Sequence, residues 1–152
     1  MASQPNPVHP VQLRNVFVSE IHGARSPLLD PTQPLSVPPY DLEQKMELLK
    51  PDAMVLTYRL YTAPLELMMA TSKNAFYFDV QVTAEFSIGT EMPREQIEIF
   101  SSAGALLVLW PFVRQTVADL SMRLGFPPLY LPVLTVPIVA PAQTECLVND
   151  RK

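Results

Sequence analysis

Residues able to do covalent or metal chemistry are few and far apart in this sequence. His9 and His22 are its only histidines and Cys146 its only cysteine. His22 has no second histidine or cysteine at ligand spacing, so a surface or structural role is read for it rather than a metal site. His9 falls in a proline-rich tail. Cys146 has no neighbouring base to lower its pKa and reads as an inert thiol. The acid pairs Glu43 with Glu47 and Glu95 with Glu98 fall on polar faces and read as solvated charge. No phosphate-cradling glycine loop, nucleophile elbow or dinucleotide fingerprint is present. These residues imply no catalytic centre, no cofactor and no nucleotide site.

Apolar chemistry is what the sequence offers. Of 152 residues, 48% are hydrophobic and 17% charged, with 17 prolines against 4 glycines. Proline fixes one dihedral and removes a donor, so the fold must contain long extended connections. A net charge of −4 and a pI near 5.1 argue against a nucleic-acid surface. A lone cysteine cannot close an intrachain disulfide. The opening "MASQPNPVHP" has neither the basic start nor the apolar run of a signal peptide. The longest unbroken apolar run, Ala103 to Val113, is 11 residues, against about 20 for a membrane span. A soluble cytoplasmic protein is expected. Its expected divisions are a flexible tail over 1–10, a single domain over 11–140 and a second tail over 141–152.

The elements that would position this apolar material follow from periodicity. "VQLRNVFVSEI" is a strand with imperfect alternation, placing Val11, Leu13, Phe17 and Ile21 on one face and Val16 and Val18 on the other. Gly23 to Pro39 is a long proline-broken connection that still carries Leu28, Leu29, Leu35 and Val37. "YDLEQKMELLK" fits a helix capped by Asp41 and Gln44, or a strand with Leu42, Met46 and Leu48 on one face; the local signals favour the helix. Ala53 to Tyr61 is a strand. Pro64 interrupts, and "LELMMA" continues past a bend or an edge. Ala75 to Ile88 alternates cleanly, with Phe76, Phe78, Val80, Val82, Ala84, Phe86 and Ile88 apolar, as in an antiparallel strand wetted on one side.

After Gly89 the period changes. Thr90 caps a short helix with Pro93 in its first turn, ending near Ser101 to Gly104. A longer helix follows to Leu124, striped by Val113, Val117, Leu120 and Leu124 and stopped by Gly125. Pro111 is placed near the start of that helix. If the helix began at Ala105, Pro111 would lie inside it and remove the bond to Leu107. The break would free the apolar turn with Leu106, Leu109 and Trp110 to meet a neighbouring subunit or another polypeptide. Last comes "FPPLYLPVLTVPIVAP", nearly all apolar yet barred from helix and central strand by its prolines. It reads as an arm lying over the core or as the wall of an apolar groove. Seven methionines, among them Met46, Met54, Met68, Met69 and Met92, are adaptable apolar material.

The ordered set closely resembles the SecB family of protein-export chaperones. One strand, a proline-rich loop and three further strands ending in "EFSI" come first. "LWPFVRQTVADLSMRLGFPPLYLPVL" follows. Trp110, Pro111, Phe112 and Arg114 carry one part of the likeness, and Phe126, Pro127, Pro128, Leu129 and Leu131 the other. It runs from about Val11 to Pro137.

The resemblance implies an α+β fold: a four-stranded antiparallel sheet with helices packed on one face, assembled as a homotetramer built from two dimers. It favours strand for Tyr40 to Leu49. It implies an ATP-independent holdase, not an enzyme, binding unfolded polypeptides in apolar grooves. Those grooves map to Leu28 to Tyr40 and Leu129 to Val136, which include Leu28, Leu29, Leu35, Val37, Tyr40, Leu129, Tyr130, Leu131 and Val133. The clients would be preproteins, or an antitoxin. The family's C-terminal helix is expected to be shortened or absent, as in SecB-like proteins that protect antitoxins. The acidic surface that docks the SecA motor is matched only in part, by Glu20. From a different class, a small apolar-ligand carrier is the competing reading.

Overall fold

The alternation from Phe76 onward becomes one of the two central strands of a four-stranded antiparallel sheet. The computed structural model describes residues 10–26, 38–50, 52–70, 76–89 and 92–134. Its strands are β1 (Val11–Arg25), β2 (Tyr40–Lys50), β3 (Ala53–Thr62) and β4 (Phe76–Ile88), in the order β1-β4-β3-β2. Helices α1 (Leu65–Met69), α2 (Arg94–Ile99) and α3 (Ala105–Arg123) complete the fold, with a π turn, Phe100–Gly104, joining α2 to α3. Residues 1–9 of the expected tail over 1–10, and the segment 141–152 with Cys146, lie outside the described residues.

The inner face of the sheet takes Met54, Leu56, Tyr58 and Leu60 from β3 and Phe76 to Ile88 in steps of two from β4, all buried. Four residues of α3, Leu109, Val113, Val117 and Leu120, close over that face. Burial of one such side chain stabilises by about 1.5–3 kcal/mol, so this contact is the main source of cohesion.

Strand β1 corrects its expected faces. Register shifts fall between Leu13 and Asn15 and between Val18 and Glu20. Each inserts one residue, so Val11, Leu13, Val16, Val18 and Ile21 all oppose inner-face residues of β4, whereas Phe17 opposes Thr83 on the outer face. The broken alternation was the trace of two bulges. Gly23 follows on the inner face, where a Cβ would come 2.8 Å from Leu120 Cδ1. A side chain there would have to displace the Leu120 methyls of α3.

Residues 40 to 50 form a strand, not the capped helix that local signals favoured. Leu42, Met46 and Leu48 oppose Leu60, Leu56 and Met54. Pairing along nearly the whole strand outweighs one cap. Gln44, the supposed capping partner, instead donates from Nε2 to the Ser101 carbonyl at 2.7 Å. After Pro64, Leu65–Met69 is a short helix rather than a continued strand.

The helical region also differs from expectation. Thr90 lies outside the described residues, and Pro93 takes the N-cap position of α2. The run from Arg94 to Arg123 is continuous over 30 residues, so Pro111 lies inside α3 rather than at its start. The helix is already propagating when it reaches Pro111, and nucleation is the costly step. The Leu107 carbonyl loses its helical donor on an exposed stretch where water can replace it. By length and composition alone the run could cross a membrane; one side of it packs on the sheet. Gly125, at φ 84°, ends it: its N–H donates to the Met122 carbonyl and that of Phe126 to the Ser121 carbonyl.

Candidate polypeptide-binding surface

Past Gly125 the chain turns back along α3 as an extended arm, residues 126 to 134. Phe126, Leu129 and Leu131 are buried against the sheet and helix, while Tyr130 and Val133 are 62% and 68% exposed. Three α3 side chains tie it down. Ser121 Oγ accepts from the Leu129 N–H at 2.9 Å and approaches the Pro127 carbonyl at 3.2 Å. Arg114 Nε donates to the Leu131 carbonyl at 2.7 Å, and Trp110 Nε1 donates to the Pro132 carbonyl at 2.8 Å. Both readings of the arm therefore meet: it lies over the core, and its outward residues remain open.

The expected client residues divide accordingly. Leu28, Leu29, Leu35 and Val37 lie outside the described residues, as do positions 135 and 136 of the arm. Leu109, Trp110, Leu129 and Leu131 are buried, because the sheet or the arm closes over them. Freed from the helix end, the turn before Pro111 was expected to stand open; inside a continuous helix it faces both ways. Leu106 is half-buried, and Tyr40 is half-buried with its ring 6.5 Å from that of Phe78. Tyr130 and Val133 are open. Sequence reasoning did not single out Ser121, a lone hydroxyl beside an apolar stripe with no period to mark it.

Other apolar side chains, outside the expected client residues, also stand open. Helices α2 and α3 cover the two central strands and leave the edges. Leu13, Val18 and Ile21 of β1 and Leu42 and Leu48 of β2 occupy inner-face positions yet are 38–46% exposed. On α3, Leu107, Val108 and Phe112 are exposed, with Ile99 of α2. In this single chain, apolar shelves thus border the helix on the sheet, with a further apolar stripe on the helix itself. An extended polypeptide could be held by burial there without any reacting group.

The opposite face of the sheet has different chemistry. Asp79, 7% exposed, accepts from Arg59 Nε at 3.0 Å and Nη2 at 2.6 Å. Arg59 also stacks over Tyr61, 4.6 Å from its centroid, and the Asp79 hydrogen bonds hold its pKa above the usual range. Tyr61 donates to Glu43 at 2.7 Å, which raises the phenol's pKa. A cavity of about 480 Å³ opens beside them, lined in part by Pro39, Pro64 and Tyr77. Glu20 accepts from Gln81 at 2.9 Å on this face.

A family model described as preprotein translocase subunit SecB matches residues 46–135. Among curated relatives, the protein-export protein SecB of Paraburkholderia phymatum is 30% identical over 97 residues, covering 59% of this chain and 62% of that protein. Its counterpart in Burkholderia mallei is 31% identical over 97 residues, covering 59% and 60%. The match thus spans about three-fifths of the relatives' length. A SecB-like chaperone of Mycobacterium tuberculosis, solved in complex with an antitoxin peptide, superposes with a TM-score of 0.63 at 22% identity, over 82% of this chain and 91% of that one. A protein of unknown function from Streptococcus agalactiae gives a TM-score of 0.55 at 14% identity, over 80% and 96%.

Proposed function

The chain belongs to the SecB family of chaperones, and from that premise we propose that it is an ATP-independent holdase for unfolded polypeptides. The observation carrying this reading is the set of apolar side chains left open on the helix side: Leu13, Val18 and Ile21, Leu42 and Leu48, Leu107, Val108 and Phe112, Tyr130 and Val133. A client burying ~1,000 Å² of apolar area there gains roughly 25 kcal/mol gross. Ordering a disordered chain takes back most of that. The outcome is reversible capture with little demand on sequence.

Part of this surface would be shared between subunits in a tetramer made of two dimers, acting in the cytoplasm. Preproteins are the first client class, in keeping with a family model described as a preprotein translocase subunit and with curated relatives that are protein-export proteins. A dedicated antitoxin client is the second reading. It is favoured by the superposition on the antitoxin-bound chaperone over 91% of that chain. Coupling to a motor such as SecA would use the outer sheet face, where Asp79 is already neutralised by Arg59 and Glu20 remains exposed.

The deciding experiment mixes the purified protein with a slowly folding, aggregating client without nucleotide and follows light scattering. Suppression near one tetramer per client is expected. Unchanged scattering, with a compact lipid recovered from the protein by mass spectrometry, would replace the holdase with the small-ligand carrier. Export and antitoxin roles separate by client: an antitoxin held far more tightly than preproteins selects the second.

A further inference from the structure

The arm is gripped in an unusual way for a piece of core. Its carbonyls at Leu131 and Pro132 accept from α3 side chains, Arg114 and Trp110, while the single Ser121 hydroxyl proton lies nearer the Ala118 carbonyl, at 2.8 Å, than that of Pro127, at 3.2 Å. Only one arm N–H, that of Leu129, is bonded to an α3 side chain. Residues at 127, 128 and 132 are prolines with no N–H to offer. Bonds from fixed side chains to main-chain carbonyls do not read side-chain identity, since every residue carries the same acceptor. The apolar part of the grip is equally general, with Leu129 and Leu131 alternating with exposed Tyr130.

We infer that the surface of α3 and sheet beneath the arm is itself a polypeptide site, and that residues 126–134 are its resident occupant, displaced by client. The inference rests on the holdase reading and deepens it. The partner that fits is an extended segment with apolar side chains two residues apart, taking the places of Leu129 and Leu131. Its carbonyls meet Arg114 and Trp110. Proline is accepted except at the residue replacing Leu129, whose N–H is used. The buried state of Trp110, Leu129 and Leu131 is then the resting state of the site, with the grease covered until client arrives.

The test uses the full unaltered chain and a permanently unfolded probe, reduced and carboxymethylated α-lactalbumin, at saturation. Hydrogen exchange is read by mass spectrometry on fragments covering 126–134 and α3. Displacement predicts at least ~10-fold faster exchange of the arm amides on client binding, with α3 unchanged or slowed. Co-elution of client with arm exchange unchanged or slower would overturn the inference and leave the holdase standing, the arm being a fixed wall. No co-elution and no suppression of scattering would remove the holdase reading and this inference with it. A second measurement sets the sign: Leu129→Ser with Leu131→Ser weakens the occupant, so client should bind severalfold tighter. Weaker binding by a folded variant points to the wall. Should the variant fail to fold, the exchange experiment decides alone.

Discussion

Against the sheet, helix α3 presents Leu109, Val113, Val117 and Leu120; against the arm it presents Trp110 and Arg114, which donate, and Ser121, which accepts. The first contact is apolar on both sides, and its residues sit within two cores that include strands β3 and β4. The second shares the first core through Phe126, Leu129 and Leu131 but adds three polar ties, with Tyr130 and Val133 in water. Burial without direction gives a bond that water cannot replace. Hydrogen bonds to a bare carbonyl can be exchanged one for one with water or with another chain. A permanent contact and an exchangeable one are thus built on the same helix.

The largest effect should come from the permanent side. Phe78 is fully buried in β4, its ring 5.6 Å from Phe76. Phe78→Ala should cost about 3–5 kcal/mol, read by urea unfolding as a lower midpoint for the whole domain. A loss below about 1 kcal/mol would mean the sheet contact tolerates cavities, and the contrast with the arm would fail.

On the exchangeable side the effect should be smaller and local. Ser121→Ala removes the hydroxyl that holds the Leu129 N–H and leaves that donor unsatisfied, at a cost of about 1–3 kcal/mol. Amide exchange should quicken across 129–134 and stay unchanged in β4. Equal quickening in β4 would mean that arm and sheet open together, and the two contacts would be one.

These two contacts were unequally legible in the sequence. The stripe Val113, Val117, Leu120 and the alternation of β4 were plain, because burial against a flat partner imposes a period. The arm's course was legible only as an apolar, proline-stiffened segment. Which carbonyl meets which donor depends on how far the chain travels after Gly125, and no period records that. The bulges of β1 left a trace, a broken alternation, without saying which residues were extra. For β2 the local capping signals favour helix and only the family resemblance favours strand, because its partner, β3, lies beyond the window those signals survey. Pro111 was placed by a capping rule that assumes a fresh helix start, and the π turn had removed the need for one. Of the proposed client residues, Tyr130 and Val133 are open, while Trp110 and Leu131 were marked by their apolar character, which core and groove share.

The smallest effect concerns the helix's other end, where the contrast softens. At the π turn the Ser101 carbonyl accepts from Tyr58 at 3.1 Å and from Gln44 at 2.7 Å, so the helical run meets the sheet there through polar ties as well as burial. The Tyr58 hydroxyl is sealed: the residue is 1% exposed, and burial raises its pKa from 10.0 to about 12. The unfolded chain ionises first, so the stabilisation is complete below pH 10 and is lost as pH rises through 12. Tyr58→Phe keeps the ring and removes both the bond and the titration. Its stability at neutral pH should fall by about 0.5–1.5 kcal/mol. The gap between wild type and variant should then narrow between pH 10 and 12, as read by urea midpoints at each pH. Parallel curves across that range would mean water reaches the Tyr58 hydroxyl. The π turn would then be exchangeable like the arm, and only the Leu109 to Leu120 stretch would count as permanent.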